Sequence, residues 1–329
     1  MLNVITGASG HVGSALAHAL VDRQGAAAVR ALFHRKRGGA AGLGIEWIKA
    51  DIQDAASLVA AFAGATTVFH LAAMISTDPR QADAMWNVNV AGTRTVVEAA
   101  LRCGVRRLVH FSSIHAYDQH PLGEPLDETR AKADGPQHDA YDRTKAASET
   151  EVRHGIARGL DAVILNPTGV LGPYDSYPSY MGQFLTNLYR RKLPALVAGG
   201  FDWVDVRDVV AAALAAQRKG RCGENYILSG GWHSVHELAQ ISQQITGVAA
   251  PRILLPVALA RMWAPVQIAL DRSRGRRPLY TQAALNALES GNRQISNAKA
   301  RQELGFDPRP VSESIRDAYE WMGKHDMLQ

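Results

Sequence analysis

At 329 residues, 47% hydrophobic and 20% charged, the chain is long enough for one large domain or two coupled ones with a sizeable core. A net charge of +5 without basic–aromatic alternation argues against a nucleic-acid groove, and two distant cysteines, Cys103 and Cys222, argue against a disulfide framework. Free thiols point to a reducing, cytoplasmic setting.

The first strand-like run, "LNVIT", starts at Leu2 and leaves no room for a signal or transit segment. Next come "TGASGHVG" and a helical pattern from Val12 to Gln24, closed by Gly25. "VRALF" and "IEWIKAD" read as strands, followed by a helix from Asp54 that carries Leu58, Val59 and Phe62. "TVFHLAA" precedes a helix with Thr93, Val96, Val97, Ala100 and Leu101, which stops at Gly104. "RLVHFSS", a helical segment containing "YDRTK", and "DAVILNP" complete the series. Several of these strands are apolar throughout, as strands covered on both faces are. The alternation predicts an α/β fold: a doubly wound parallel sheet of the Rossmann type with helices on both faces.

After Pro167 the pattern loosens. "GPYDSYPSYMGQF" reads as irregular, "NYILSGG" as a late strand, and "SVHELAQISQQI" as a helix opened by Ser234 and Glu237 in capping-box spacing. The expected division is a dinucleotide-binding domain over 1–170, to which 202–230 return. A smaller, mostly helical substrate lobe would comprise 171–201 and 231–329. The apolar stretch Ile253 to Leu270 is broken by Pro256, Arg261 and Pro265, whereas a membrane span needs about 20 mostly apolar residues. Arg272, Arg274, Arg276 and Arg277 follow it, either as a solvated loop or as a contact with an anionic membrane surface or an acidic substrate.

The glycines behind the first strand point to a dinucleotide. Gly7 permits the turn, Gly10 lets a pyrophosphate approach the backbone, and Gly13 lets the helix pack closely on the strand. Ser9, His11 and Val12 complete a turn whose helix N-terminus faces the phosphates. The second strand runs into His34, Arg35, Lys36 and Arg37 with no acid in reach. A carboxylate there would grip a ribose 2′-hydroxyl, whereas cations attract a 2′-phosphate, so NADP(H) is expected rather than NAD(H).

"YDRTK" places Tyr141 and Lys145 four apart, hence on one helical face. A free phenol titrates near 10, and a neighbouring ammonium is expected to bring it toward the working pH. Ser113, with Ser112 beside it, ends a strand at the carboxyl edge of the sheet, where ligands of such folds bind. Its hydroxyl is expected to orient a substrate oxygen while Tyr141 exchanges the proton.

These residues resemble an extended short-chain dehydrogenase/reductase. The likeness is greatest to the dihydroflavonol-reductase-like and 3β-hydroxysteroid-dehydrogenase-like branch. It covers nearly the whole length through "TGASGHVG", "ADIQD", "HLAA", "NVAGT", "FSS", "YDRTK", "NPTGVLGP", "VDVRDVV" and "ARQELGFDPRPVSESIRDAYEW". The resemblance implies that Asp51 and Ile52 border the adenine and that Leu71, Ala72 and Ala73 line the pyrophosphate and ribose path. It implies that Asn89 steadies the central helix, that Pro167, Thr168 and Val170 shape the nicotinamide pocket, and that subunits pair. The chain departs from the branch at His34, where those reductases carry Arg.

His110, His115 and His120, like His233 and His236, lack the companions of a metal site, so no metal is expected. His115 follows Ser113 closely and is a candidate substrate contact. Tyr177 and Met181, with Tyr180, are read as substrate contacts or as packing. The leading expectation is an NADP(H)-dependent oxidoreductase interconverting a bulky hydrophobic ketone or aldehyde and its alcohol. The alternatives are a nucleotide-sugar epimerase or dehydratase that retains its cofactor, with Arg190, Arg191 and Lys192 near a second pyrophosphate, and a non-catalytic cofactor sensor.

Overall fold

The computed structural model describes residues 1–273 and 281–329; Arg274, Arg276, Arg277 and the side chain of Arg272 lie outside the described residues. The first six strands are β1 (Asn3–Thr6), β2 (Val29–Phe33), β3 (Glu46–Lys49), β4 (Thr67–His70), β5 (Arg107–Phe111) and β6 (Ala162–Pro167). They are followed by β7 (Gly169–Leu171), β8 (Leu196–Val197), β9 (Gly200–Asp205), β10 (Asn225–Leu228), β11 (Trp232–Ser234) and β12 (Leu254–Leu255). Seven of them form one parallel sheet in the order β10-β6-β5-β4-β1-β2-β3. The winding reverses between β1 and β4. In such sheets that reversal opens a ligand crevice at the carboxyl ends of the strands.

Every residue of β1, β4 and β6 is buried; Val4, Ile5, Val68, Phe69, Val163, Ile164 and Leu165 supply their apolar middles, and the polar Asn3, Thr6, Thr67, His70 and Asn166 lie toward the strand ends. On one face, α1 (His11–Gln24) packs with α7 (Val206–Lys219) through Leu16, Leu20, Val206 and Val210 over Phe69 and Phe111. On the other lie α2 (Ala55–Phe62), α4 (Gly92–Arg102) and α5 (Ala140–Ala157), joined by Leu58, Phe62, Val96, Val97 and Val152. The short α3 (Ala82–Trp86) runs through a π-helical turn, Asn87–Ala91, into α4.

The remaining elements form a second core. β9 joins β7 in parallel and β11 antiparallel, and β12 pairs with β8. Around them are α6 (Tyr180–Tyr189), α8 (Val235–Thr246), α9 (Val257–Ser273), α10 (Gln282–Ser290) and α11 (Val311–Lys324). Leu185, Leu188, Leu238, Leu285, Ile315 and Met322 are buried together there.

One sequence expectation is corrected. The segment read as irregular through Phe184 becomes helical at Tyr180. Ser179 caps the helix by accepting from the Gly182 amide at 3.1 Å, and Phe184, Leu185 and Leu188 supply a buried face. Proline and tyrosine density ahead of the cap hid that periodicity. No helix among the described residues is long and apolar enough to cross a membrane, and α9 contains Pro265.

Candidate active site

The glycine turn is shaped by close approach. Gly7 has φ +73°, and a Cβ there would lie 2.7 Å from the Ala72 nitrogen. A Cβ on Gly13 would lie 2.8 Å from the Ala8 Cα, so α1 sits directly on the turn. Around Gly10 the space is open apart from the Gly7 carbonyl oxygen at 3.4 Å. Gly10 caps α1 without a side-chain hydrogen bond, and the first turn holds no acid. The leading N–H groups of α1 therefore face a bare, electropositive cradle that fits a diphosphate.

The neighbouring backbone completes that cradle. Ala72 donates from its amide to Thr6 Oγ1 at 3.2 Å, and Leu71 to the Thr6 carbonyl oxygen at 3.2 Å, with Ala73 just beyond. Ser9 lies under the loop after β2, where a Cβ on Gly38 would approach its carbonyl oxygen to 2.6 Å. Val12 is packed against the core shared by α1 and α7. His11 is half-buried, with Nε2 2.8 Å from the Pro173 carbonyl oxygen.

The cations after β2 divide into different settings. His34 Nε2 is 3.7 Å from Asp51 Oδ2, and the Arg37 guanidinium lies over the rings of Phe33 and Trp47 at 5.2 and 6.0 Å. Lys36 Nζ stands 5.3 Å from the Tyr177 ring centroid. Arg35 has no partner among the described residues. Ile52 packs against Gly92, where a Cβ would meet its Cδ1 at 2.7 Å.

Tyr141 and Lys145 lie on the first turns of α5, and the Tyr141 phenol is close enough to the Ser113 hydroxyl, just past β5, to be influenced by it. The Ser113 hydroxyl also accepts from the His115 amide at 3.2 Å, which fixes the turn. Asn89 anchors the approach from the other side. Its amide nitrogen donates to Thr144 Oγ1 and to the Met74 carbonyl oxygen, both at 3.0 Å, and its oxygen accepts from the Met74 amide at 2.7 Å. Thr168 donates from its amide to the Leu228 carbonyl oxygen at 3.2 Å, holding the junction of Pro167 and Val170 between the two sheets.

Over residues 3–229 the chain matches the NAD dependent epimerase/dehydratase family. The chain belongs to this family. It is 35% identical to sterol demethylase protein B of Methylococcus capsulatus, an alignment covering 100% of both chains. It is 29% identical to the 4-hydroxy-2-methyl-3-oxo-4-farnesyl-3,4-dihydroquinoline-1-oxide ketoreductase of Stigmatella aurantiaca, over 98% of this chain and 97% of that one. Among solved structures, gox2253 superposes with a TM-score of 0.84 at 32% identity, covering 100% of this chain and 99% of that one. The extended short-chain dehydrogenase/reductase assignment and the Rossmann-type fold are thereby established. The family binds nicotinamide dinucleotides, which agrees with the bare cradle at Gly10.

Within this extended short-chain frame, the electrostatics differ from the sequence expectation at one point. Lys145 is buried, and its ammonium donates to the Phe111 carbonyl oxygen at 2.9 Å. Burial pushes Lys145 down to about 8, against the favourable charge of Glu149. The expected downward pull of Lys145 on the phenol is not what the geometry delivers. Burial pushes Tyr141 up to about 12; the Ser113 hydroxyl opposes the rise and the Asp142 charge adds to it.

The candidate substrate contacts separate. His115 stays beside the phenol, its ring edge-on to Tyr141 at 5.7 Å and Nδ1 3.1 Å from Asp142 Oδ1. Burial works against its charge, but the Asp142 hydrogen bond and the charges of Asp142 and Asp139 hold the imidazole above its ordinary range. Tyr177 stands over Lys36 of the loop after β2, and Met181 packs against the second core. Arg190 donates to the Met327 carbonyl oxygen at 3.1 Å.

Three features were not read from the sequence. Asp142 partners His115 one residue from the phenol. The buried His70 and His110 rings lie 5.2 Å apart beneath the site. Glu149, one turn beyond Lys145, gathers Asn166, Asn225 and Lys132 at 2.7, 3.0 and 2.6 Å. The i, i+4 spacing of Lys145 and Glu149 was available as a signal; the partners on other strands were not. Among the described residues no group of His, Cys, Asp and Glu is placed to hold a metal ion.

Proposed function

We propose that the protein is an NADP(H)-dependent oxidoreductase that interconverts a ketone or aldehyde and its alcohol on a bulky hydrophobic substrate. What supports this reading most is the Tyr141 phenol close to the Ser113 side chain past the carboxyl end of β5, in a sheet whose winding reverses beside the glycine turn. The bound nicotinamide would supply or accept the hydride. The chain's own residues would do the rest. Gly7, Gly10 and Gly13 form the seat of the diphosphate, and Arg35 with Lys36 would receive the 2′-phosphate. Asp51 and Ile52 would border the adenine, and Pro167, Thr168 and Val170 the nicotinamide.

Ser113 would hydrogen-bond the substrate oxygen, and Tyr141 would exchange its proton with that oxygen. Burial keeps the phenol protonated throughout the neutral range, the form that donates to a developing alkoxide in the reducing direction. Lys145 would hold the nicotinamide ribose while its bond to Phe111 fixes the end of β5. A hydrophobic substrate is supported by the sterol and farnesyl words in the two relatives' names. It is also supported by Leu259, Met262, Trp263 and Val266, exposed at i, i+3, i+4 and i+7 on α9.

The test is turnover of NADPH against a panel of hydrophobic carbonyl compounds, with Tyr141→Phe as the control. The variant should keep NADPH binding and lose about 10² to 10⁴ in kcat. A Phe variant that turns over like the parent would refute the role of the phenol. Conversion of a nucleotide sugar without net NADPH consumption would favour the epimerase or dehydratase reading instead.

A further inference from the structure

The loop between β7 and α6 leads into the second core, yet its contacts are with the cofactor turn. The Pro173 carbonyl oxygen lies 2.8 Å from His11 Nε2, and the Tyr174 ring packs on His18 with 4.8 Å between centroids. Ser176 is pressed against Gly39, so that a Cβ on that glycine would collide with Ser176 Oγ. Tyr177 then covers Lys36 at 5.3 Å. The strap thus touches α1 at two points and the loop after β2 at two more.

Its path is built. Tyr174 adopts φ +73°, a left-handed conformation disfavoured for a residue with a side chain, and is held there between His18 and Trp321. Asp175 is buried, and its carboxylate accepts from the Ser179 amide at 2.9 Å and the Ser179 hydroxyl at 2.7 Å. That pair ties the strap to the start of α6. Tyr177 is therefore delivered to the rim of the β2 loop by fixed backbone on both sides.

Lys36 lies where this fold receives a phosphate on the adenosine ribose. A lysine ammonium is a point charge on a flexible stem, and it recognises an anion well only when the stem is held. An aromatic face beneath it holds the ammonium by cation–π attraction and leaves its other donors for the phosphate. We propose that Tyr177 is a positioning residue for cofactor specificity: it steadies Lys36 toward the 2′-phosphate, so that NADPH preference is built jointly by the β2 loop and the strap. This rests on the NADP(H) reading above.

Calorimetric titration of the substrate-free protein with NADPH and NADH tests it, using the parent, Tyr177→Ala and Tyr177→Phe. The parent should favour NADPH. Tyr177→Ala should weaken NADPH about two- to fivefold and leave NADH unchanged, because an exposed cation–π contact is modest. Tyr177→Phe keeps the ring and should match the parent. If the parent favours NADPH but Tyr177→Ala leaves that preference intact, or weakens both cofactors equally, the role of Tyr177 is wrong and the NADP(H) reading stands. If the parent shows no preference for NADPH, the NADP(H) reading itself falls and takes the Tyr177 role with it.

Discussion

The Asn166 amide donates to Glu149 Oε1 at 2.7 Å, and the same nitrogen reaches the Ser113 carbonyl oxygen at 2.9 Å. Glu149 is 1% exposed, a setting in which a carboxylate is tolerated only when fully partnered. Its other oxygen accepts from Asn225 and pairs with Lys132, so one side chain ties α5 to β6 and β10 behind the serine.

Removing that carboxylate takes one hydrogen bond from each of two buried amides and the counter-charge from the Lys132 ammonium. Glu149→Leu should cost about 3–5 kcal/mol in urea unfolding, because breaking one side of a buried pair leaves the other uncompensated. Adding Lys132→Met should recover part of the loss. A Glu149→Leu protein as stable as the parent would show that the network contributes nothing.

Arg35, which has no partner among the described residues, keeps its full donor fork available after β2. Arg35→Ala should weaken NADPH binding about tenfold, by the loss of a charge-assisted hydrogen bond, and leave NADH unchanged. The difference should shrink as salt screens the exposed charge. Unchanged NADPH affinity in the variant would mean that the phosphate is held elsewhere.

The paired histidines beneath the site set an acid limit. His70 is bonded through both ring nitrogens, to Thr6 Oγ1 at 2.8 Å and Thr93 Oγ1 at 2.9 Å. Burial, aided by the nearby Lys145 charge, pushes it down to about 3, and His110 is held well below its ordinary value by burial, His70 and Lys145. An unfolded imidazole takes its proton near 6.5. Between about 6.5 and 3 the unfolded chain therefore binds more protons than the folded one, and acidification favours unfolding. Stability should be level above 6.5 with respect to these groups, then fall by on the order of 1 kcal/mol per pH unit for each histidine. Thermal melts across this range measure the slope, and His110→Gln should make it shallower. A melting temperature flat from pH 6.5 to 4.5 would contradict the buried neutral pair.

Much of this architecture is local enough to be legible in the sequence. The glycine turn, the Asp54 and Ser234 caps and the apolar strands each announce themselves within a few residues, and the sheet follows from their alternation. Tyr141 and Lys145 share a helical face by spacing alone. What stayed hidden is nonlocal. Nothing near Tyr177 in the chain signals Lys36, since the contact depends on how the strap crosses α1. The direction of the Tyr141 shift depends on burial and on a lysine committed to the Phe111 carbonyl, neither of which a Y-x-x-x-K pattern contains.

The register of β10 beside β6 has a consequence for how the polypeptide is made. Ile164 finds its pairing partner only when Asn225 exists, so the large sheet keeps an open margin until translation has passed Leu228. A ribosome paused earlier would present β6 as an unguarded template for other extended segments.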